Sequence, residues 1–160
     1  MKKSTKVILS SMLTVGTMFG VGVAADSPQV NQAHAATTPY YNYHGYAGNH
    51  ASFVLDKQFI KSLKYNNFRM NGVHITSTYA TKTVKKYDQT FHGVTKSGKS
   101  ANSVTFDVTS KLTLQQLKQA YGKNLIAHGN NFYIYKPGND KPGIMFILKN
   151  EKVTSISIGF

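Results

Sequence analysis

The first 35 residues most limit what this chain can fold into, because they have the pattern of an export signal. Three lysines precede residue 7, and residues 7–25 then contain no charged side chain. The Ala-His-Ala sequence at residues 33–35 matches the small-x-small pattern that signal peptidases cleave after. We therefore predict cleavage after Ala35, which leaves a mature chain of residues 36–160.

A retained membrane anchor is the alternative interpretation of this segment. A run of 19 uncharged residues, from 7 to 25, could cross a hydrocarbon core of about 30 Å. Serine, threonine and glycine interrupt that run, and the polar residues 26–34 lead to a cleavage site rather than to a basic stop-transfer cluster. We therefore expect a secreted protein. No sortase-type tail ends the chain, so we expect any attachment to the cell surface to be non-covalent.

The absence of cysteine narrows the chemistry of an exported protein. It excludes disulfides, thiolate metal sites and a cysteine nucleophile together. A mature chain of this length forms one domain of common size that can bury a core without such cross-links. Its apolar residues are rich in Phe, Tyr, Ile and Val, which favour strands over helices.

The charge of the mature chain is strongly positive. Residues 36–160 hold 16 of the 19 basic residues and 5 of the 6 acids, which gives a net charge of +11, and Arg69 is the only arginine. Such a charge concentrates polyanions near the protein and speeds their association. Outside a cell these are nucleic acids, anionic wall polymers, acidic lipids and sulfated glycans. The alternative is that the charge only maintains solubility.

The mature chain opens with a tyrosine- and glycine-rich segment, residues 36–51, before an α+β domain at residues 52–160. Its glycines, asparagines and proline indicate an irregular or extended conformation. The phenol rings could stack on nucleic-acid bases, or they could pack on a sheet and fix the N-terminus. Both interpretations remain open at this point for Tyr40, Tyr41, Tyr43 and Tyr46.

Two short helices are predicted from their capping signals. Asp56 can cap a first helix, which Asn66 and Asn67 end. Thr113 and Gln116 form a capping box for a second helix, which Gly122 is placed to end.

The strand signals surround these helices. Residues 68–75 predict a strand with a bend at Asn71-Gly72. Residues 81–94 and 104–108 predict two long strands joined by a lysine-tipped turn at residues 96–99. A final meander is predicted over 132–135, 144–148 and 153–158. The expected fold is therefore α+β, with two short helices packed on an antiparallel sheet.

Residues suited to catalysis are few. Asp88 and Asp107 are the only acids not assigned to a cap or a turn, and nothing in the sequence indicates that they form a catalytic pair. His74 or His92, with Lys85 or Lys86, could supply the acid, the base and the electrostatic stabilisation of a metal-free nuclease. No spacing in the sequence distinguishes these histidines from ordinary surface histidines. No metal-ligand pattern or phosphate-binding loop is present. We therefore predict no catalytic residues, no metal and no cofactor.

Lysines beside aromatic residues are the strongest functional signal. Lysine suits phosphate contact as a point charge, whereas reading of base edges more often uses arginine. This composition predicts binding that tolerates any nucleic-acid sequence. A solvated basic face without a ligand is the alternative. The predicted contact residues are Lys82, Lys85, Lys86, Tyr87, Lys96 and Lys99, with Lys57, Lys61 and Lys64 on one face of the first helix, and Arg69.

Three long stretches carry a resemblance to a known family. They are TPYYNYHGYAGNHASFVLDKQFIKSLKYNNFRMNGV, KKYDQTFHGVTKSG and LTLQQLKQAYGKNL, within residues 38–125. The chain resembles the immunodominant staphylococcal antigen B family. This resemblance implies a secreted, partly surface-associated antigen that binds extracellular nucleic acid without known enzymatic activity. It supplies no binding residues, so the predicted contacts rest on charge alone.

Three functional hypotheses follow. The first is a secreted, non-enzymatic binder of extracellular DNA, RNA or other polyanions. The second is a module that binds a host protein or a cell-wall polymer through the sheet face or the tyrosine segment. The third is a histidine-dependent nuclease. The sequence leaves the oligomeric state and the physiological ligand open.

Overall fold

The computed structural model describes residues 37–160, and the predicted signal peptide at residues 1–35 lies outside them. No helix in the described part of the chain is long and apolar enough to cross a membrane. Two α-helices, eleven strands and two short 3-10 helices are present there. The α-helices are α1 (Lys57–Lys64) and α2 (Leu114–Tyr121), and the 3-10 helices are Gly48–Leu55 and Gly122–Asn124. The strands are β1 (Tyr41–Tyr43), β2 (Phe68–Met70), β3 (Val73–Ile75), β4 (Lys82–Lys86), β5 (Gln89–Val94), β6 (Ser100–Ala101), β7 (Ser103–Asp107), β8 (Ile126–Ala127), β9 (Phe132–Tyr135), β10 (Gly143–Lys149) and β11 (Lys152–Gly159).

Seven strands form the larger sheet, in the order β4-β5-β7-β11-β10-β9-β8, and every neighbouring pair is antiparallel. Successive side chains along a strand point to opposite faces, so one face of this sheet is apolar and buried. A buried row crosses five of its strands in register. The members of this row are Phe91, Val104, Ile158, Ile144 and Tyr135.

Four short strands form a second sheet, in the order β1-β2-β3-β6. β2 and β3 make a hairpin whose turn is Asn71-Gly72, where both residues have positive φ. This turn lies at the predicted bend. β1 and β6 add to the two edges of the hairpin as parallel strands, which the sequence did not predict.

Both predicted α-helices are confirmed together with their caps. The Asp56 carboxylate accepts a hydrogen bond from the backbone N–H of Gln58 at 2.6 Å, which satisfies a free donor of the first turn of α1. Thr113 and Gln116 form the reciprocal capping box of α2. Gly122 ends α2 with φ of 56°, a conformation that suits glycine.

The helices and the tyrosine segment share one core with the sheets. Phe59 of α1 meets Phe68 of β2 edge to face, with ring centroids 5.0 Å apart, and Phe53 of the first 3-10 helix lies 5.3 Å from Phe59. Tyr121 of α2 packs against Phe146 of β10 at 5.5 Å. Burial of these large rings supplies much of the driving force for folding.

One strand prediction is wrong. Residues 81–94 do not form one long strand; they fold into a hairpin of β4 and β5 that turns at Tyr87-Asp88. Tyr87 takes a left-handed φ of 57° there, which the chain achieves without glycine. The lysine-tipped turn at residues 96–99 therefore leads from β5 into the short strand β6 of the other sheet. The α+β class and the three C-terminal strands of the meander are confirmed.

Candidate functional site

The hairpin of β4 and β5 carries the densest cluster of predicted contact residues. β4 is an edge strand of the larger sheet. As in any strand, its side chains alternate between the two faces of the sheet. Lys82 and Lys86 lie on the same side as the half-buried Val84, whereas Lys85 lies on the opposite side. Lysines on an edge strand also discourage unwanted strand pairing. The structure thus divides the predicted Lys82, Lys85 and Lys86 group into two surfaces.

An open cavity of about 280 Å³ lies beside Lys82 and Lys86. Lys96, from the turn after β5, lines the same cavity, so three lysines line one depression. No acidic side chain lines it. The remaining lining residues are apolar or small: Val73, Val84, Phe91, Val94, Thr95, Ser97 and Gly98. We call the cavity and its three lysines the hairpin surface.

A carboxylate fixes the tip of this hairpin to the N-terminal segment. Asp88 accepts hydrogen bonds from the backbone N–H groups of Ala47 at 2.9 Å and Gly48 at 2.7 Å. Charge-assisted bonds of this kind are stronger than neutral ones. Asp88 therefore has a structural role at this junction.

Two buried amides support the same junction. Asn71 donates to the side-chain oxygen of Gln89 at 2.6 Å, and Gln89 donates to the carbonyl of Gly45 at 3.0 Å. The carbonyl of Asn71 accepts a hydrogen bond from Lys86 Nζ at 2.8 Å. Lys86 is thereby held against the smaller sheet, where its charge borders the cavity. Sequence reasoning missed this network, because its members are far apart in the chain.

The structure separates the four tyrosines of the N-terminal segment into two classes. Tyr41 and Tyr43 pack on the ring of Phe53, and burial raises the pKa of both phenols, with further contributions from the negative charges of Asp56 at Tyr41 and Asp88 at Tyr43. These two rings are half-buried and pack against the core. Tyr40 and Tyr46 are about half exposed and remain free for contact with a ligand.

Tyr46 forms an exposed aromatic pair at the hairpin tip. Its ring meets that of Tyr87 edge to face, and both side chains are more than half exposed. Tyr87 directly follows Lys86, so the pair adjoins the hairpin surface. Tyr87 is a contact residue predicted from its position beside the lysines, whereas its pairing with Tyr46 is visible only in the structure.

The other predicted contact residues do not line the cavity of the hairpin surface. Lys57, Lys61 and Lys64 are exposed on α1, which packs on the first 3-10 helix, β1 and β2. Arg69 is half-buried on β2 and donates to the carbonyl of Gly72 at 3.3 Å. Lys99 is exposed just before β6. Of the ten predicted residues, three line the cavity, namely Lys82, Lys86 and Lys96.

The histidines named for a nuclease are not placed together. His74 lies on β3 of the smaller sheet, where its Nε2 is 2.8 Å from the carbonyl oxygen of Asn66. His92 lies on β5 of the larger sheet, between the hydroxyls of Thr83 and Thr105, each at 3.4 Å. Within residues 37–160, no three His, Asp or Glu side chains are grouped to hold a metal ion.

Comparison with known proteins identifies the family. The sequence profile of immunodominant staphylococcal antigen B matches residues 40–158. The chain is 38% identical over 167 aligned positions to immunodominant staphylococcal antigen B of Staphylococcus aureus strain USA300, and equally to that of strain NCTC 8325. Each alignment covers 99% of this chain and 95% of the relative. No solved structure matches the chain. The resemblance predicted from the sequence is confirmed, and the chain belongs to the immunodominant staphylococcal antigen B family.

Proposed function

We propose that this protein is a secreted, non-enzymatic antigen that binds extracellular nucleic acid and other polyanions through the hairpin surface. The observation that carries the proposal is the convergence of Lys82, Lys86 and Lys96 on one depression that no acid lines. Three ammonium groups without a compensating carboxylate favour a ligand with several phosphates. The exposed pair of Tyr46 and Tyr87 beside them offers faces on which unpaired bases can stack.

Recognition of this kind tolerates different sequences. Lysine ammonium groups contact phosphate oxygens, which are the same in every nucleotide. Aromatic rings stack on any base, since every base has a π-face. The only arginine, Arg69, is engaged with the carbonyl of Gly72 and lies on the other sheet. We therefore expect similar affinities for unrelated DNA and RNA sequences of equal length.

The dependence of affinity on salt tests this proposal. For duplex DNA, log affinity should fall linearly with log salt, with a slope of about 0.9 per phosphate contacted. The double variant Lys82→Gln with Lys96→Gln removes two phosphate contacts and should therefore reduce the magnitude of that slope by about 1.8. Lys86 is left intact, because its bond to Asn71 also supports the fold.

A matched control removes two charges elsewhere. Lys57→Gln with Lys61→Gln lowers the net charge equally but changes only the exposed face of α1. This variant should keep the slope close to that of the unchanged protein. If both double variants weaken binding alike, total charge rather than the hairpin surface determines affinity. Tight binding of a defined protein or wall polymer that survives high salt would favour the second hypothesis instead.

Two further experiments address secretion and enzymatic activity. Sequencing the N-terminus of the protein from culture medium should give Ala36 as the first residue, as the predicted cleavage requires. Labelled DNA and RNA incubated with purified protein, with and without a chelator, should remain intact. Degradation that is lost in a His74→Ala or His92→Ala variant would establish the nuclease instead.

A further inference from the structure

The face of the larger sheet that points away from the core carries an ordered row of side chains. In register across all seven strands, the row runs Lys85, Thr90, Thr105, Ser157, Met145, Ile134 and Ile126. Every member is exposed or half-buried. We call this the outer face. It is charged at one edge, lined with hydroxyls in the middle and apolar towards β8.

Two glycines create a recess in the outer face. Gly143 of β10 is paired directly with Gly159 of β11, which is in turn paired with Ser103 of β7. A β-carbon at Gly159 would collide with Ser103, and one at Gly143 would lie 3.1 Å from the carbonyl oxygen of Tyr135. The floor of the recess is therefore bare backbone. Its volume is about 470 Å³, which is in the range of small-molecule sites.

The walls of this recess combine apolar surface with positive charge. Ile134, Met145 and Phe160 provide the apolar sides. Lys136 and Lys141 come from the two ends of the loop between β9 and β10 and lie at the rim. Three small polar groups, Ser103, Ser157 and Asn139, complete the polar lining. Asp140 belongs to the same loop but does not line the recess, so no Asp or Glu side chain is part of the lining.

We propose that this glycine recess binds a ring-bearing phosphate monoester of nucleotide size. A flat ring fits over the Gly143–Gly159 pair, because no side chain rises from that floor, and it contacts the apolar walls on its edges. The phosphate lies at Lys136 and Lys141, since ammonium groups form charge-assisted hydrogen bonds with phosphate oxygens. The hydroxyls and the amide of the lining can bond to the polar edge of the ring or to a sugar.

The recess is distinct from the hairpin surface. It opens on the outer face at β10 and β11, whereas the hairpin surface lies beside Val84 and Phe91 on the core side of the sheet edge. Nucleotide binding at the recess therefore does not depend on the binding of polyanions at the hairpin surface. The same ligand chemistry has two sources, a free nucleotide and the phosphorylated end of a nucleic-acid strand.

Calorimetric titration of the purified protein with deoxyadenosine monophosphate tests the proposal. Deoxyadenosine and inorganic phosphate, each used alone, should bind at least about tenfold more weakly than the nucleotide, because each fills only half of the site. The variant Lys136→Gln with Lys141→Gln should lose about tenfold in affinity for the nucleotide. Ser157→Leu, which fills the recess from the exposed side of β11, should abolish binding while the melting temperature stays close to that of the unchanged protein.

The controls separate this site from the hairpin surface. Lys118→Gln with Lys123→Gln removes two charges, one on α2 and one on the 3-10 helix that follows it, and should leave nucleotide affinity unchanged. The variant Lys82→Gln with Lys96→Gln should leave it unchanged as well. Competition by a 5′-phosphorylated oligonucleotide, but not by its unphosphorylated form, would assign the strand end as the source. Competition by neither would assign the free nucleotide. Absence of nucleotide binding, or binding that the Lys136/Lys141 variant and Ser157→Leu both leave unchanged, would overturn the proposal.

Discussion

The ring of Tyr87 meets the ring of Tyr46 edge to face, with centroids 5.1 Å apart and an angle of 77° between the planes. The residues that follow them explain this arrangement. Asp88 accepts a hydrogen bond from the backbone of Ala47, so the two chain segments are joined one residue beyond each ring. The aromatic pair is thus fixed by a contact between a side-chain carboxylate and a backbone N–H, and much of each ring still faces solvent.

Replacing Tyr46 with alanine should weaken the binding of single-stranded nucleic acid. Stacking of a base on an aromatic side chain contributes about 1–3 kcal/mol, so affinity should fall roughly fivefold or more. Duplex DNA, whose bases are already stacked, should bind with little change. Fluorescence anisotropy with single- and double-stranded probes of equal length measures both effects.

Tyr65→Ala is the control for this prediction. Tyr65 has a similar exposed fraction, 57% against 59% for Tyr46, but lies at the C-terminal end of α1. Its removal should leave both affinities unchanged. Equal losses in the two variants would show that the Tyr46–Tyr87 pair has no special part in binding.

Asp88→Asn should destabilise the fold although the side chain keeps its size. The carboxylate accepts from Ala47 and Gly48 together, and an amide can offer only one oxygen to those two donors. The free energy of unfolding should fall by about 1–3 kcal/mol, as expected for a buried donor left without a partner. Urea unfolding measures this loss, and hydrogen exchange at Ala47 and Gly48 should accelerate. Asp140→Asn, in an exposed loop, should leave stability unchanged.

The parts of the fold that were predictable depend on neighbouring residues. Asp56 bonds to Gln58, and Thr113 bonds to Gln116, so each cap is visible in a few letters of sequence. Alternating apolar residues likewise indicated the last three strands. The lysines of the hairpin were also predicted, because a cluster of charged residues can be identified in the sequence without knowledge of tertiary contacts.

The parts that were missed depend on contacts between distant segments. The turn at Tyr87-Asp88 has neither glycine nor asparagine at its centre, and it is fixed by Asp88 reaching Ala47 and Gly48. The single-strand prediction missed the turn at Tyr87-Asp88, but not the separation of Lys85 from Lys82, because residues three apart point to opposite faces in any strand. Lys136 and Lys141 were not predicted as contacts, because only the pairing of β10 with β11 creates a recess beside them.

Gly48→Ala should be more destabilising than its position on the first 3-10 helix alone implies. A β-carbon there would collide with the backbone carbonyl of Asp107, and it would lie 3.0 Å from Asp88 Oδ2. Overpacking of this kind costs about 1–3 kcal/mol. Thermal and urea unfolding should show the loss, whereas Asn49→Ala, at the exposed neighbouring position, should change stability little. Similar stability of the two variants would contradict the close approach of this segment to β7.

Tyr121 makes the stability of the protein sensitive to alkaline pH. Burial, with a smaller contribution from Tyr135, raises the pKa of its phenol well above the usual 10.0. The folded chain therefore keeps this proton at a pH where the unfolded chain has lost it. By linkage, the stabilisation is complete below about pH 10 and decreases as the pH rises further.

Tyr121→Phe should reveal this dependence. The Tyr121 hydroxyl donates to the carbonyl of Val54 at 2.7 Å, so at neutral pH its loss should lower the free energy of unfolding by about 1–3 kcal/mol. Above about pH 10 the unchanged protein should lose stability faster than the variant, and the difference between them should narrow. Urea unfolding at several pH values from neutral to alkaline measures that difference. Tyr79→Phe, at a fully exposed ring, should follow the unchanged protein throughout. A gap between Tyr121→Phe and the unchanged protein that stays constant with pH would mean that the buried phenol does not control alkaline stability.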